Sequence, residues 1–222
     1  MEQKLFLLIN RQWTSPALDR IMATLSSFDF WTPVLLLLIV VVAVFGGFKA
    51  RALLLTLALS VGIADGVVVN SLKCVFNRPR PCQAQAVRVV KLQKTRPAFF
   101  AVIRPANVTA SQPESGVIQG RSFPSGHTTD NFTAAMVLAA FYRRRGWLYF
   151  PIAAAVGYSR IYTGSHWPSD VFISAFLGCG LGLLGVAAAE AFWRRLGGRI
   201  APALHRDHPS LIQGAVDGNL PS

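Results

Sequence analysis

The chain has 222 residues, 52% of them hydrophobic and only 14% charged, and its mean hydropathy is +0.42. That balance excludes most soluble domains and makes a bilayer the natural solvent. A formal net charge of +12 would suit nucleic acid, but the cations stand at the ends of apolar runs, as flanks of membrane spans do, so no nucleic-acid partner is expected.

Residues 1–29 carry Leu5, Phe6, Trp13, Leu18, Ile21 and Leu25 among Lys4, Arg11, Asp19 and Arg20. The apolar stretch 5–9 is too short for a signal peptide, so the mature chain is expected to start at Met1. From Leu18 the spacing is helical, and the segment reads as an amphipathic helix in the headgroup layer. Residues 30–48 form a first, almost uncharged span. A short turn with Gly46, Gly47, Lys49 and Arg51 makes the second span, 52–72, its antiparallel neighbour. Asp65 and Asn70 interrupt that span. An acid there must face the bundle interior, as a partner for a buried polar group or in a catalytic part.

Residues 82–121 are polar, basic and without periodicity, which suggests a lid or a headgroup-contact loop. Cys74 and Cys82 bracket Arg78-Pro79-Arg80-Pro81 and either pair, in an oxidising compartment, or stand as two thiols. Residues 126–142 and 147–162 give a third and a fourth span, joined by Arg143-Arg144-Arg145-Gly146. The fifth is 169–193, with a stripe of Gly178, Gly180, Gly182 and Gly185 for close packing. The tail, 194–222, is basic and reads as loosely ordered, with His205, Asp207 and His208 on a solvated face. The expected fold class is therefore all-α: a polytopic bundle of five transmembrane helices, or six, in a membrane domain over 30–193.

Three motifs fall on one face if the spans succeed one another antiparallel. Lys73 and Arg80-Pro81 end the second span; Pro124-Ser125-Gly126-His127 opens the third; Ser159-Arg160, His166 and Asp170 join the fourth to the fifth. They supply cations, a nucleophile with an acid beside it, and a proton donor, which displacement at phosphorus requires. Singly, each cation is as well read as a snorkelling anchor. The joint spacing carries the catalytic reading. Arg78 lies outside the spacing and is available for a second phosphate. Asp130 stands one turn after His127, placed to orient it or to bond Thr129 or a neighbouring helix.

With its order and spacing, this triplet resembles the signature of the type 2 phosphatidic acid phosphatase superfamily, integral-membrane lipid phosphatases whose site is shared with soluble haloperoxidases and acid phosphatases. The resemblance implies His166 as nucleophile, Asp170 as the acid that holds its other N–H, and His127 as acid and base. Lys73, Arg80, Arg160, Ser125 and the Gly126 amide would hold the phosphoryl group, with no metal and no cofactor. A lipid phosphate or diphosphate is then the expected partner: undecaprenyl diphosphate, phosphatidylglycerol phosphate, phosphatidic acid or a lipid A phosphate. Interception of the phosphohistidine by another lipid would make the chain a phosphotransferase, and binding without turnover would make it a transport protein. Counting cations does not orient the bundle. The dense Arg143–Arg145 hairpin and the outward habit of the family place the site on the periplasmic face of a bacterial inner membrane.

Overall fold

A computed structural model describes residues 1–113 and 120–212. The chain is mostly helical, and among the described residues three helices, beginning at Phe28, Phe48 and Pro168, are long and apolar enough to cross a membrane. The first is α3 (Phe28–Phe45), in which no residue is buried. Val34 to Val41 are all exposed, so only an apolar solvent can accommodate that surface.

The second run is not a uniform helix. It consists of α4 (Phe48–Ile63), a π-helical segment (Ala64–Val69) and α5 (Asn70–Phe76). Then α7 (Gly126–Tyr142) threads the middle of the bundle, in contact with α4, α8 (Phe150–Tyr162) and α9 (Pro168–Ile200). The third and fourth expected spans are thus helices at the expected places, but of 17 and 13 residues they fall short of the length of the other three.

Glycines set the distance between α7 and α9. A Cβ at Gly178 would stand 2.4 Å from the Thr129 carbonyl oxygen, and one at Gly182 2.8 Å from Thr133 O. Gly185 closes on Ser60 of α4, whereas Gly180 faces open space and is not part of the packed stripe. Thr133 Oγ1 donates to Gly178 O at 3.1 Å across the same seam.

Three expectations are corrected. The loop 82–121 is not structureless, and the fold is not purely helical: after α6 (Pro81–Ala84), β1 (Arg88–Lys91) pairs antiparallel with β2 (Asn107–Ala110), Arg88 opposite Ala110 and Lys91 opposite Asn107. Four-residue strands are too short for alternation to show in sequence. Second, the N-terminal segment is two helices, α1 (Glu2–Leu7, continued by a π turn to Gln12) and α2 (Pro16–Leu25), and it is packed into the protein. Phe6, Ile9 and Ala23 share a core with Val87, Val90, Ile161 and Tyr162. Third, α9 outruns the fifth span to Ile200, and α10 (Pro202–Asp207) folds back on it. His208 stacks on Phe48 with ring centroids 4.5 Å apart, and Trp193 Nε1 donates to His208 O at 2.7 Å. The expected loose order of 213–222 lies outside the described residues. Of the two alternatives left open for Cys74 and Cys82, the structure shows no disulfide.

The seam yields a first prediction. Gly178→Val must push α7 away from α9 and should cost about 1–3 kcal/mol of overpacking, read as a lower midpoint of thermal unfolding in detergent micelles. Gly180→Val should leave the midpoint where it is. Equal midpoints for both variants would show that the seam does not set the helix distance.

Candidate active site

The first motif is built where α5 stops. Asn77 takes left-handed backbone angles, φ 41° and ψ 38°, and its N–H caps Lys73 O. Asparagine tolerates that conformation better than most residues, so Arg78-Pro79-Arg80 leaves the helix axis sharply. The π-helical segment before it re-phases the helix, as such insertions do at functional sites. Asp65, Val69 and Lys73 then line one stripe against the start of α7. A Cβ on Gly126 would lie 3.0 Å from Asp65 Oδ1 and 3.6 Å from Lys73 Nζ. Glycine at this position therefore admits the lysine to the N-terminal end of α7. Asp65 takes the bland role open to it in the sequence, beside a polar side chain at a helix crossing.

The second motif lies along the first. Ser122 N donates to Arg78 O at 2.9 Å, and Gly120 N to Asn77 Oδ1 at 2.8 Å. A Cβ on Gly120 would sit 2.1 Å from the Arg78 carbonyl carbon, so only glycine lets the two strands of chain touch. Ser125 ends this stretch fully buried, its N–H donating to Ser174 Oγ at 2.8 Å and its hydroxyl bonded to Thr128 Oγ1 at 2.9 Å.

The third motif is a tight turn off α8. His166 N and Ser165 N both donate to Arg160 O, at 3.1 and 3.0 Å. Gly164 has φ +78°, and a side chain there would also strike Arg88 O of β1 at 2.5 Å. The hairpin that the sequence left as a loop thus forms the floor under the histidine turn.

His166 is 3% exposed. Its Nδ1 lies 2.6 Å from Ser122 O and 3.9 Å from Asp170 Oδ2. A carbonyl only accepts, so Nδ1 carries the proton and Nε2 the lone pair. Asp170 does not bond Nδ1 directly, as the family pattern suggested. Its carboxylate accepts from Ser122 Oγ at 2.5 Å, from Trp167 N at 3.0 Å and from Arg78 Nη1 at 2.6 Å. Asp170 thus positions the residue whose carbonyl holds the imidazole. Arg78 is correspondingly committed to carboxylates and is not available for a second phosphate. Burial pushes the His166 imidazole down to about 4, the Asp170 carboxylate opposing and the charges of Arg160 and Arg80 adding to the fall.

His127 stands at the start of α7, where the charges of Arg160, Lys73 and Arg80 and the His166 ring all act on it. Lys73, Arg80, Arg160, His127, His166 and Asp170 are therefore in one place. Arg160 is engaged by α2: its Nη1 donates to Ser26 O at 3.2 Å and to the Ser26 hydroxyl. Asp130 does not orient His127. Its Oδ1 is buried without a hydrogen bond and lies in the field of Asp65 and Lys73. Sequence reasoning missed Ser122 and the structural use of Arg78. A backbone carbonyl leaves no mark in sequence, and two arginines in Arg-Pro-Arg-Pro cannot be told apart by spacing.

Comparison with known proteins gives the same frame. The solved structure of Aquifex aeolicus LpxE superposes with a TM-score of 0.58 at 29% identity, over 84% of this chain and 94% of that one. Bacitracin transport permease protein BcrC of Bacillus licheniformis is 40% identical over 72 residues, 32% of each chain. Undecaprenyl-diphosphatase of Sulfolobus acidocaldarius is 39% identical over 66 residues, 29% of this chain and 32% of its own. The chain thus matches about a third of the length of these curated relatives. The model of the PAP2 superfamily matches residues 49–194, which contain all three motifs, and the chain belongs to that superfamily.

Proposed function

We propose that the chain is an integral-membrane lipid phosphatase that removes the terminal phosphate of a lipid phosphate or diphosphate through a phosphohistidine at His166. One observation carries this reading: Nδ1 lies 2.6 Å from the Ser122 carbonyl and so carries the proton, which leaves the lone pair on Nε2 of a ring on which the Arg160 and Arg80 charges act. In the first step Nε2 attacks phosphorus and the bond to the lipid oxygen breaks, with His127 giving that oxygen its proton. The imidazolium that forms is stabilised by the buried Asp170 carboxylate. In the second step His127 takes a proton from water, whose oxygen attacks phosphorus as the bond to Nε2 breaks, freeing inorganic phosphate and the neutral His166 imidazole. Lys73, Arg80 and Arg160 neutralise the equatorial oxygens, so no metal is called for. The N-terminal end of α7 supports the same assignment. An ammonium beside a helix N-terminus opposes the macrodipole, whereas a phosphate between the two satisfies both. The Gly126 amide is placed to contribute there. Ser125 reaches the phosphate only by exchanging its Thr128 partner.

On this reading the site faces the periplasm from a bacterial inner membrane, which the Arg143–Arg145 run at the other end of α7 supports, and there undecaprenyl diphosphate, phosphatidylglycerol phosphate and phosphatidic acid present phosphates at headgroup depth. The name of the Bacillus relative favours a second reading, transport without turnover. Phosphate release from those purified lipids in mixed micelles, with excess EDTA, separates the two. The phosphatase reading expects release from at least one lipid, undiminished by the chelator and lost by orders of magnitude in His166→Ala. Binding without release would support transport.

The histidines divide by leaving group. With labelled aryl phosphate, whose oxygen departs unprotonated, His127→Ala should accumulate label on His166 because water is no longer activated. His166→Ala should take none. Label on His127 in His166→Ala would reverse the roles.

The imidazole can also be read directly. An unperturbed histidine is almost wholly charged at about pH 5, whereas His166, held near 4 by burial, should still be neutral there and charge only as pH falls further. Nitrogen-15 histidine NMR in micelles, with the signal assigned by its loss in His166→Gln, checks this. A charged ring at about pH 5 would remove the neutral nucleophile.

A further inference from the structure

We propose that Glu2 and Arg78 are a positioning pair: Arg78 holds the Asp170 carboxylate, and Glu2 holds Arg78 while capping α9, so that the N-terminal helix completes the site. This rests on the reading of His166 and Asp170 given above. It adds residues from α1, which lies outside the family match at 49–194.

Asp170 has no exposed surface, and a buried carboxylate persists only where donors replace water. Arg78 supplies a full countercharge. Its Nη1 reaches Asp170 Oδ1 at 2.6 Å and Ser169 Oγ at 2.8 Å, while Nη2 reaches Glu2 Oε2 at 2.8 Å. Bridging two carboxylates in one plane needs the guanidinium fork, which an ammonium lacks.

Glu2 does a second thing with its other oxygen. Oε1 accepts from Ser169 N at 3.0 Å and from the Ser169 hydroxyl. That N–H is one of the free donors in the first turn of α9, where a carboxylate also meets the positive end of the helix dipole. Burial alone would raise the Glu2 carboxyl, but the Ser169 hydrogen bonds and the Arg78 charge hold it below its ordinary range, so it is anionic at neutral pH.

The aromatic contacts fix the same geometry. Trp167 lies beneath the Arg78 guanidinium, 5.6 Å from ring centroid to Cζ, and Phe6 of α1 packs against Trp167 at 5.3 Å. Trp167 Nε1 donates to Pro79 O at 2.9 Å. Position therefore passes from α1 to Arg78, to Asp170, to Ser122 and to the imidazole. Substrate phosphate is held by other groups, so a disturbed Glu2 should slow chemistry without weakening binding.

The test uses the full chain in detergent micelles, with p-nitrophenyl phosphate and dioleoyl phosphatidic acid as substrates. Turnover is counted per molecule in the monodisperse fraction from size-exclusion chromatography, so a misfolded fraction does not register. In Glu2→Gln, kcat should fall about tenfold with KM within about twofold. In Arg78→Lys it should fall at least as far, and Glu2→Gln added to Arg78→Lys should cost less than a further twofold, since Glu2 acts through Arg78. Wild-type kcat in Glu2→Gln, a loss confined to KM, or losses that multiply would each overturn the pair. Should Arg78→Lys fail to fold, the kcat and KM of Glu2→Gln decide alone, with Glu2→Asp as the intermediate case. Full activity in His166→Ala, or no release by the wild type from p-nitrophenyl phosphate or from any of the three lipids named above, would sink the phosphatase reading itself. An inactive His166→Ala beside an unimpaired Glu2→Gln would sink only the pair.

Discussion

The Asp170 carboxylate, sealed from solvent, is the constraint around which the rest of this molecule is arranged. An ion that has lost its water is tolerated only if hydrogen bonds and a countercharge replace it, and stripping one partner from such a group typically costs about 3–5 kcal/mol. The donors come from three separate pieces of chain: the Ser122 hydroxyl ahead of α7, the Trp167 amide at the head of α9, and Arg78 beyond α5. Satisfying one carboxylate therefore brings three distant motifs to one point. The imidazole is held by the same arrangement, because the serine that gives its hydroxyl to Asp170 gives its carbonyl to His166.

Such an anchor works only if the helices that bear its donors keep their spacing. Between α7 and α9, Gly178 and Gly182 leave no room for side chains, so the backbones touch and His127 stands at a fixed distance from the head of α9. On the other flank a buried Asn10 clamps three things at once: its amide donates to Tyr162 O at 2.8 Å and Arg88 O at 2.9 Å, and its oxygen accepts from Arg88 N at 3.0 Å. Arg88 in turn grips both oxygens of Asp19, at 2.9 and 2.8 Å, and Tyr162 donates to Asp19 Oδ1 at 2.7 Å. The N-terminal helices, the hairpin and the end of α8 are thus one polar-laced unit beside the site. The lipid-facing surface of α3 takes no part in it.

Legibility in the sequence followed the length scale of each signal. The apolar runs of α3 and α4 and the long α9 were plain, because eighteen or more residues of one character cannot be mistaken. The motif residues were legible through joint spacing, which registers Lys73, Arg80, His127, Arg160, His166 and Asp170 without any structure. The hairpin was not, since Arg88-Val-Val-Lys is shorter than the window in which alternation is seen. Nor was the placement of the N-terminal helices: Phe6 and Asn10 are wholly buried, but in sequence they look like any amphipathic surface segment until β1 and Tyr162 are there to cover them. The hydrogen bond from His166 was invisible for a deeper reason. It ends on a backbone carbonyl, which every residue has, and the family pattern had pointed to the carboxylate instead.

The cations follow a different logic from the carboxylate. Arg160 and Arg80, and Arg80 and Lys73, stand close enough for their charges to act on one another and on His127, while Asp65 and Asp130 act on Lys73 in the opposite sense, so the lysine is partly compensated and the mutual repulsion rests mainly between the two arginines. Arg160 is steadied by the end of α2, through Ser26, but a hydroxyl and a carbonyl carry only partial charge and do not cancel a guanidinium. For the proposed reaction, fixed like charges in a partly desolvated place would suit a dianionic or trianionic group before any ligand arrives, most strongly where negative charge is greatest along the reaction path. The opposing cost is carried elsewhere in the fold, by the glycine seam and the Asn10 clamp, which hold the cations at helix ends that would otherwise splay. Packing and polar lacing remote from the cations thus maintain an electrostatic strain that, on the proposed reading, the substrate phosphate relieves.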